Sequence, residues 1–158
     1  LVALDRGEER AVHRGGNQHT VARVGQRTHS KAQAGDHTAL MDSNLRRIYS
    51  DAYYRKNKWA IPLVGLLTKP KSYDRFFVQA DACLTHNAFG LLPRIQAKTL
   101  VVGGEQDKAL GGQASRDIAQ QIPGAQLRMY EKWGHGLYEE EKGFNAAVLT
   151  FLKQVDGK

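Results

Sequence analysis

Thr99-Leu-Val-Val-Gly-Gly-Glu-Gln-Asp107 is the stretch that decides the fold. Residues 99–102 are β-branched and apolar with no charge, which predicts a strand covered on both faces, as in a parallel sheet. Gly103 and Gly104 are read as a sharp turn off the strand end, and Asp107 closes the loop. Downstream, residues 113–121 place Ala114 and Ile118, and then Ile122, on one helical face, and Pro123-Gly124 stops the helix. Residues 125–130 alternate, with Leu127 and Met129 set against Gln126 and Arg128, the period of a half-buried strand. Residues 139–155 carry Phe144, Ala147, Val148, Phe151, Leu152 and Val155 in helical phase. Glu139, Glu140 and Glu141 stand at its start, where the helix dipole favours negative charge. Strand, helix, strand, helix predicts an α/β fold with parallel strands joined by right-handed crossovers.

Upstream the period is helical. Leu45, Ile48, Tyr49, Ala52 and Tyr53 recur at helical spacing, with Asp42 or Ser43 as the expected cap. Residues 59–67 form an apolar run broken by Pro62 and Gly65, read as a connector. A second helix is expected from near Ser72, with Tyr73, Phe76, Phe77, Ala80, Leu84 and Ala88 on one face, ending by Gly90. Phe76 and Phe77 are expected in a packed core. Residues 1–38 show no sustained period. They contain none of the chain's Phe, Trp or Tyr and hold four of its six histidines. They read as irregular or non-native to the rest of the fold.

The chain has 158 residues and a net charge of +7, most of whose excess lies in residues 39–92. A basic excess of this kind usually describes a solvated helical surface. The single cysteine, Cys83, excludes an intramolecular disulfide framework and fits a reducing compartment. It is read as a small buried residue, because Cys83 and His86 alone do not make a zinc site. No metal or organic cofactor is expected. The apolar runs are shorter than the about 20 residues a spanning helix needs, and no signal-peptide pattern opens the chain. A cytoplasmic location without membrane contact is the expectation.

The residues suited to chemistry are Asp107 and His135, the latter inside Trp133-Gly-His-Gly136. Both follow predicted strands, and adjacent parallel strands bring such loops to one edge, where α/β sheets place their sites. A carboxylate there can fix the tautomer of an imidazole whose other nitrogen removes a proton from a nucleophile. Gly134 and Gly136 are read as leaving room for the ring. Without further information Asp107 fits a turn residue as well as an acid, and His135 a loop residue as well as a base.

Residues from about 90 to 155 resemble the C-terminal portion of the α/β-hydrolase fold. The resemblance rests on Leu92-Pro-Arg-Ile95, on the stretch quoted above, on Ile122-Pro-Gly-Ala125, on Gly134-His135 and on the final amphipathic helix. It implies three regions: residues 1–38 outside the fold, 39–90 as part of a helical cap, and 91–158 as the C-terminal core. Asp107 would be the family's acid and His135 its base. Caps shape the substrate pocket, so Trp59, Leu63, Leu66 and Leu67 become candidates to line it. The implied substrate is a small ester, lactone or related acyl compound, as in small esterases and enol-lactone hydrolases.

The sequence departs from the family at the nucleophile. Ser30, Ser43, Ser50, Ser72 and Ser115 all lack the flanking glycines of the Gly-x-Ser-x-Gly elbow. Ala3-Leu-Asp-Arg-Gly7 is a faint echo, with Asp5 in the nucleophile position. Glu105 stands two residues before the acid and reads as a rim residue. The expectation is a fragment of a hydrolase without its nucleophile. The alternative is a non-catalytic interaction module on the same scaffold. A basic nucleic-acid-binding domain is the third class, from Arg46, Arg47, Arg55, Lys56 and Lys58 interleaved with tyrosines. Those tyrosines fall on the helix's apolar face, so packing explains them better and no nucleic-acid partner is expected.

Overall fold

The computed structural model describes residues 28–85 and 88–156. Helical residues 28–33 are followed by α1 (His37–Ile48), α2 (Asp51–Asn57), a 3-10 turn (Lys58–Ala60), α3 (Ile61–Thr68) and α4 (Asp74–Thr85). A 3-10 segment (Phe89–Arg94) leads into β1 (Leu100–Gly104), α5 (Gly112–Gln121) and β2 (Gln126–Tyr130). The chain closes with α6 (Leu137–Glu140) and α7 (Phe144–Asp156).

The decisive stretch does form a strand. β1 and β2 pair in parallel, from Leu100 opposite Gln126 to Gly104 opposite Tyr130. The connecting helix α5 packs against both strands and against the 3-10 segment. Ile122, just past its end, is 5% exposed, and Gly124 takes a φ of 70° to turn the chain into β2. Leu127 does not follow the predicted alternation inward, since it is exposed on the sheet surface.

The helical part starts earlier than its pattern suggests. Asp36 caps α1 by accepting from Ala39 N at 2.9 Å, whereas Asp42 and Ser43 lie inside the helix. Residues 28–33 are helical, so the irregular reading of residues 1–38 does not hold for them, and the rest up to residue 27 lies outside the described residues. The expected connector at residues 59–67 is a 3-10 turn followed by α3. Pro62 stands in the first turn of α3, where a missing N–H costs nothing, so it begins a helix rather than breaking one. Buried Gly65 lets α3 approach α1: a Cβ there would meet Thr38 Oγ1 at 3.0 Å.

The final helix is split. The Glu141 carboxylate accepts from Trp133 Nε1 at 2.7 Å and from Gly143 N at 2.8 Å, which takes residue 141 out of helical geometry between α6 and α7. Apolar periodicity continues through the break and hides it. Cys83 is exposed, not buried, because it falls on the outer side of α4. Phe76 and Phe77 are half-buried, with His29 ring-to-ring with Phe77 at 4.9 Å. His37 lies 3.2 Å from Thr68 Oγ1. His29 and His37 thus belong to packed helices rather than to an irregular segment, while His13 and His19 lie outside the described residues.

The core is thin. Ala32, Leu40, Tyr54 and Ile61 are buried in the helical part, and Ile122 and Leu137 in the α/β part. Trp59, Leu63, Leu66 and Leu67 are 58–77% exposed. Burying one such side chain is worth about 1.5–3 kcal/mol. These four therefore leave a large stabilising term unused within the described residues. Among the described residues, no helix is long and apolar enough to cross a membrane.

Candidate active site

Parallel pairing sends the loops after β1 and β2 to the same sheet edge. The turn after β1 is anchored there: Glu105 N donates to Tyr130 O at 2.9 Å and Gln106 N to Trp133 O at 3.1 Å. Gly103 and Gly104 do not make this turn. They end the strand, buried, and the turn falls at Glu105 and Gln106. Their smallness serves close packing instead. A Cβ on Gly104 would overlap Trp133 O and lie 2.5 Å from Gly134 O, so the acid loop and the histidine loop touch backbone to backbone.

Within this contact His135 Nδ1 lies 2.9 Å from Asp107 Oδ2. The other carboxylate oxygen of Asp107 accepts from Ala109 N at 2.7 Å and Leu110 N at 2.9 Å. The Asp107 side chain is 11% exposed and that of His135 is 40% exposed. Burial opposes ionisation of Asp107, but the bonds from His135, Leu110 and Ala109 outweigh it and hold the carboxyl below its usual range. The hydrogen bond to Asp107 in turn raises His135 above the ordinary imidazole value, against the effect of burial. An ionised carboxylate can only accept, so Nδ1 carries the proton. In the neutral ring Nε2 then holds the free lone pair, the form a general base needs.

Four consecutive residues at the junction of α1 and α2 grip these loops and the short helix α6. Ile48 O accepts from Gly136 N at 2.6 Å. Tyr49 Oη donates to Glu139 Oε2 at 2.5 Å. Ser50, 3% exposed, donates to Glu140 from its N at 2.9 Å and from its Oγ at 2.5 Å. Asp51 pairs with Lys108 Nζ at 2.5 Å. Gly136 is required by this contact: a Cβ would lie 2.9 Å from Tyr49 Cε1 and 3.0 Å from Ile48 Cγ2. None of these partners is visible in local sequence, since Ser50 and Glu140 are 90 positions apart.

The other candidates fall elsewhere. Trp59, Leu63, Leu66 and Leu67 form an exposed apolar face on the 3-10 turn and α3. Glu105 is tied to Arg116 at the rim. The basic, tyrosine-rich stretch is internally engaged. Tyr49 stacks on Tyr53 at 4.4 Å, and Tyr54 donates to Asp42 at 2.5 Å with Arg46 over its ring. Asp5 and its flanking glycine lie outside the described residues. Of the serines, Ser43 and Ser50 are buried in the helical part, and Ser115 sits on α5 beside Gly103.

Comparison with known proteins bears on the fold. The family model for TAP-like proteins matches residues 84–157. An α/β-hydrolase enzyme from a Medee basin deep-sea metagenome library is 25% identical, with a TM-score of 0.75 over 84% of this chain and 50% of its own. The enol-lactonase from Burkholderia xenovorans gives 21% identity and a TM-score of 0.70, over 83% of this chain and 50% of its own. An esterase from Exiguobacterium antarcticum gives 18% and 0.67, over 86% of this chain and 48% of its own. No curated protein matches. The chain has the α/β-hydrolase fold. It spans about half the length of the solved structures it matches.

Proposed function

We propose that this chain carries the acid and base of a nucleophile–histidine–acid relay that hydrolyses an ester, lactone or related acyl compound. The observation that supports it is the 2.9 Å bond between His135 Nδ1 and Asp107, formed between two loops at one edge of a parallel sheet. In this reading Asp107 orients His135 and balances the imidazolium as it forms. His135 Nε2 takes the proton of the attacking nucleophile and later gives it to the leaving alcohol. The nucleophile is supplied from outside this chain, and residues 39–90 act as part of a cap. Trp59, Leu63, Leu66 and Leu67 would supply apolar cover for the acyl substrate. No metal or organic cofactor takes part.

Loss of a nucleophile alone can cost on the order of a millionfold in rate. The chain by itself should therefore give no ester turnover that His135→Ala changes. Co-expression with the nucleophile-bearing half of a related α/β-hydrolase should restore turnover of a p-nitrophenyl ester, and His135→Ala or Asp107→Asn should abolish it. Restored turnover indifferent to both substitutions would contradict the relay. Turnover by the chain alone that His135→Ala removes would contradict the external nucleophile.

A further inference from the structure

Among the described residues, the helical part reaches the relay through residues 48–51, and each of these residues makes a different bond to a loop that carries Asp107 or His135 or to the short helix α6 that follows His135. Ile48 holds the backbone of Gly136, next to His135. Tyr49 and Ser50 hold Glu139 and Glu140 on α6, which opens directly after the histidine loop. Asp51 holds Lys108, next to Asp107. Lys108 and Gly136 are chain neighbours of the two relay residues, so one short segment spans the pair from both sides.

We propose that residues 48–51 are a positioning strap, with Tyr49, Ser50 and Glu140 as the positioning residues that keep His135 on Asp107. This rests on reading Asp107 and His135 as the relay, yet it concerns side chains that touch no reacting atom. The chemistry supports a strap over incidental packing. Ser50 is buried and fully used: its hydroxyl donates to Glu140 and accepts from Tyr53 N at 3.2 Å, capping α2. The Glu140 carboxylate takes both the N–H and the O–H of Ser50, a two-point grip that fixes direction as well as distance. His135 is itself 40% exposed, so packing around the ring alone does not hold it. The histidine loop is instead held through its backbone and through α6. A movement of α1 and α2 would then be transmitted to the imidazole.

The test is the NMR titration of His135 in the full chain, read at the ring carbons and at the Nδ1 proton. Glu140→Ala should bring the His135 midpoint down toward 6.5, the value of an imidazole without a partner. It should also broaden or remove the downfield Nδ1 signal. Glu140→Gln keeps an acceptor for Ser50 and should restore most of both, which separates position from charge. Tyr49→Phe removes one oxygen and no charge, keeps the ring against Gly136, and should move the midpoint in the same direction by less. It serves where Glu140→Ala fails to fold. A purely structural role would lower the unfolding midpoint and leave the titration of His135 unchanged. That unchanged titration in a folded Glu140→Ala or Tyr49→Phe chain would overturn the proposal. The readout is the imidazole itself, so an absence of hydrolysis leaves the test of the strap intact.

Discussion

Asp107 and His135 perturb each other in opposite directions, which fixes the sign of the pH response. His135 is raised by Asp107, so its folded state favours the protonated ring. That contribution is complete below 6.5 and is lost as pH rises through the raised folded midpoint. Asp107 is lowered, so its contribution is present above 3.8 and is lost as pH falls through its lowered folded value. The pair stabilises most in the window between 3.8 and 6.5. Urea unfolding should therefore show a lower midpoint at about pH 9 than at about pH 5.5, with the difference reduced in Asp107→Asn. An equal difference in wild type and Asp107→Asn would show that other groups carry it. The two residues were legible in the sequence because each follows a recognisable strand at short range. Their hydrogen bond follows from parallel pairing, which the order of elements already implies.

At the scale of elements, the outcome separates local from distant causes. β1, α5 and β2 follow from residues 99–130 alone, through β-branched runs, one amphipathic face and Pro123-Gly124. α3 was hidden because Pro62 reads as a breaker until its place in the first turn is known. The split between α6 and α7 was hidden because Glu141 leaves the helix for Trp133, while the apolar period runs on. The close approaches at Gly104 and Gly136 were hidden for a related reason: the missing Cβ atoms admit Trp133 and Tyr49, contacts that composition does not reveal. Gly136→Ala should force Tyr49 or Ile48 to shift, at a cost of about 1–3 kcal/mol, measurable as a lower urea midpoint. A midpoint equal to wild type would show that the α1–α2 junction is not pressed against the histidine loop.

For the whole molecule, the core that the described residues form is thin. They build a parallel pair of strands with helices, and the chain spans about half the length of the α/β-hydrolase structures it matches. Trp59, Leu63, Leu66 and Leu67 are all exposed, and contiguous apolar patches on a protein surface mark sites of contact. The sequence could name these residues as apolar, but only the three-dimensional arrangement shows that nothing among the described residues covers them. The helical part is nevertheless fastened to the α/β part through residues 48–51, so the geometry of the Asp107–His135 pair is a property of both. The central claim is that this fold brings Asp107 and His135 together as an acid–base pair. The most direct measurement is the NMR titration of His135 in wild type and in Asp107→Asn. The account predicts a wild-type midpoint above 6.5 with a downfield Nδ1 proton, and in Asp107→Asn a fall of the midpoint and loss of that signal. A His135 midpoint that is the same in both proteins would contradict it.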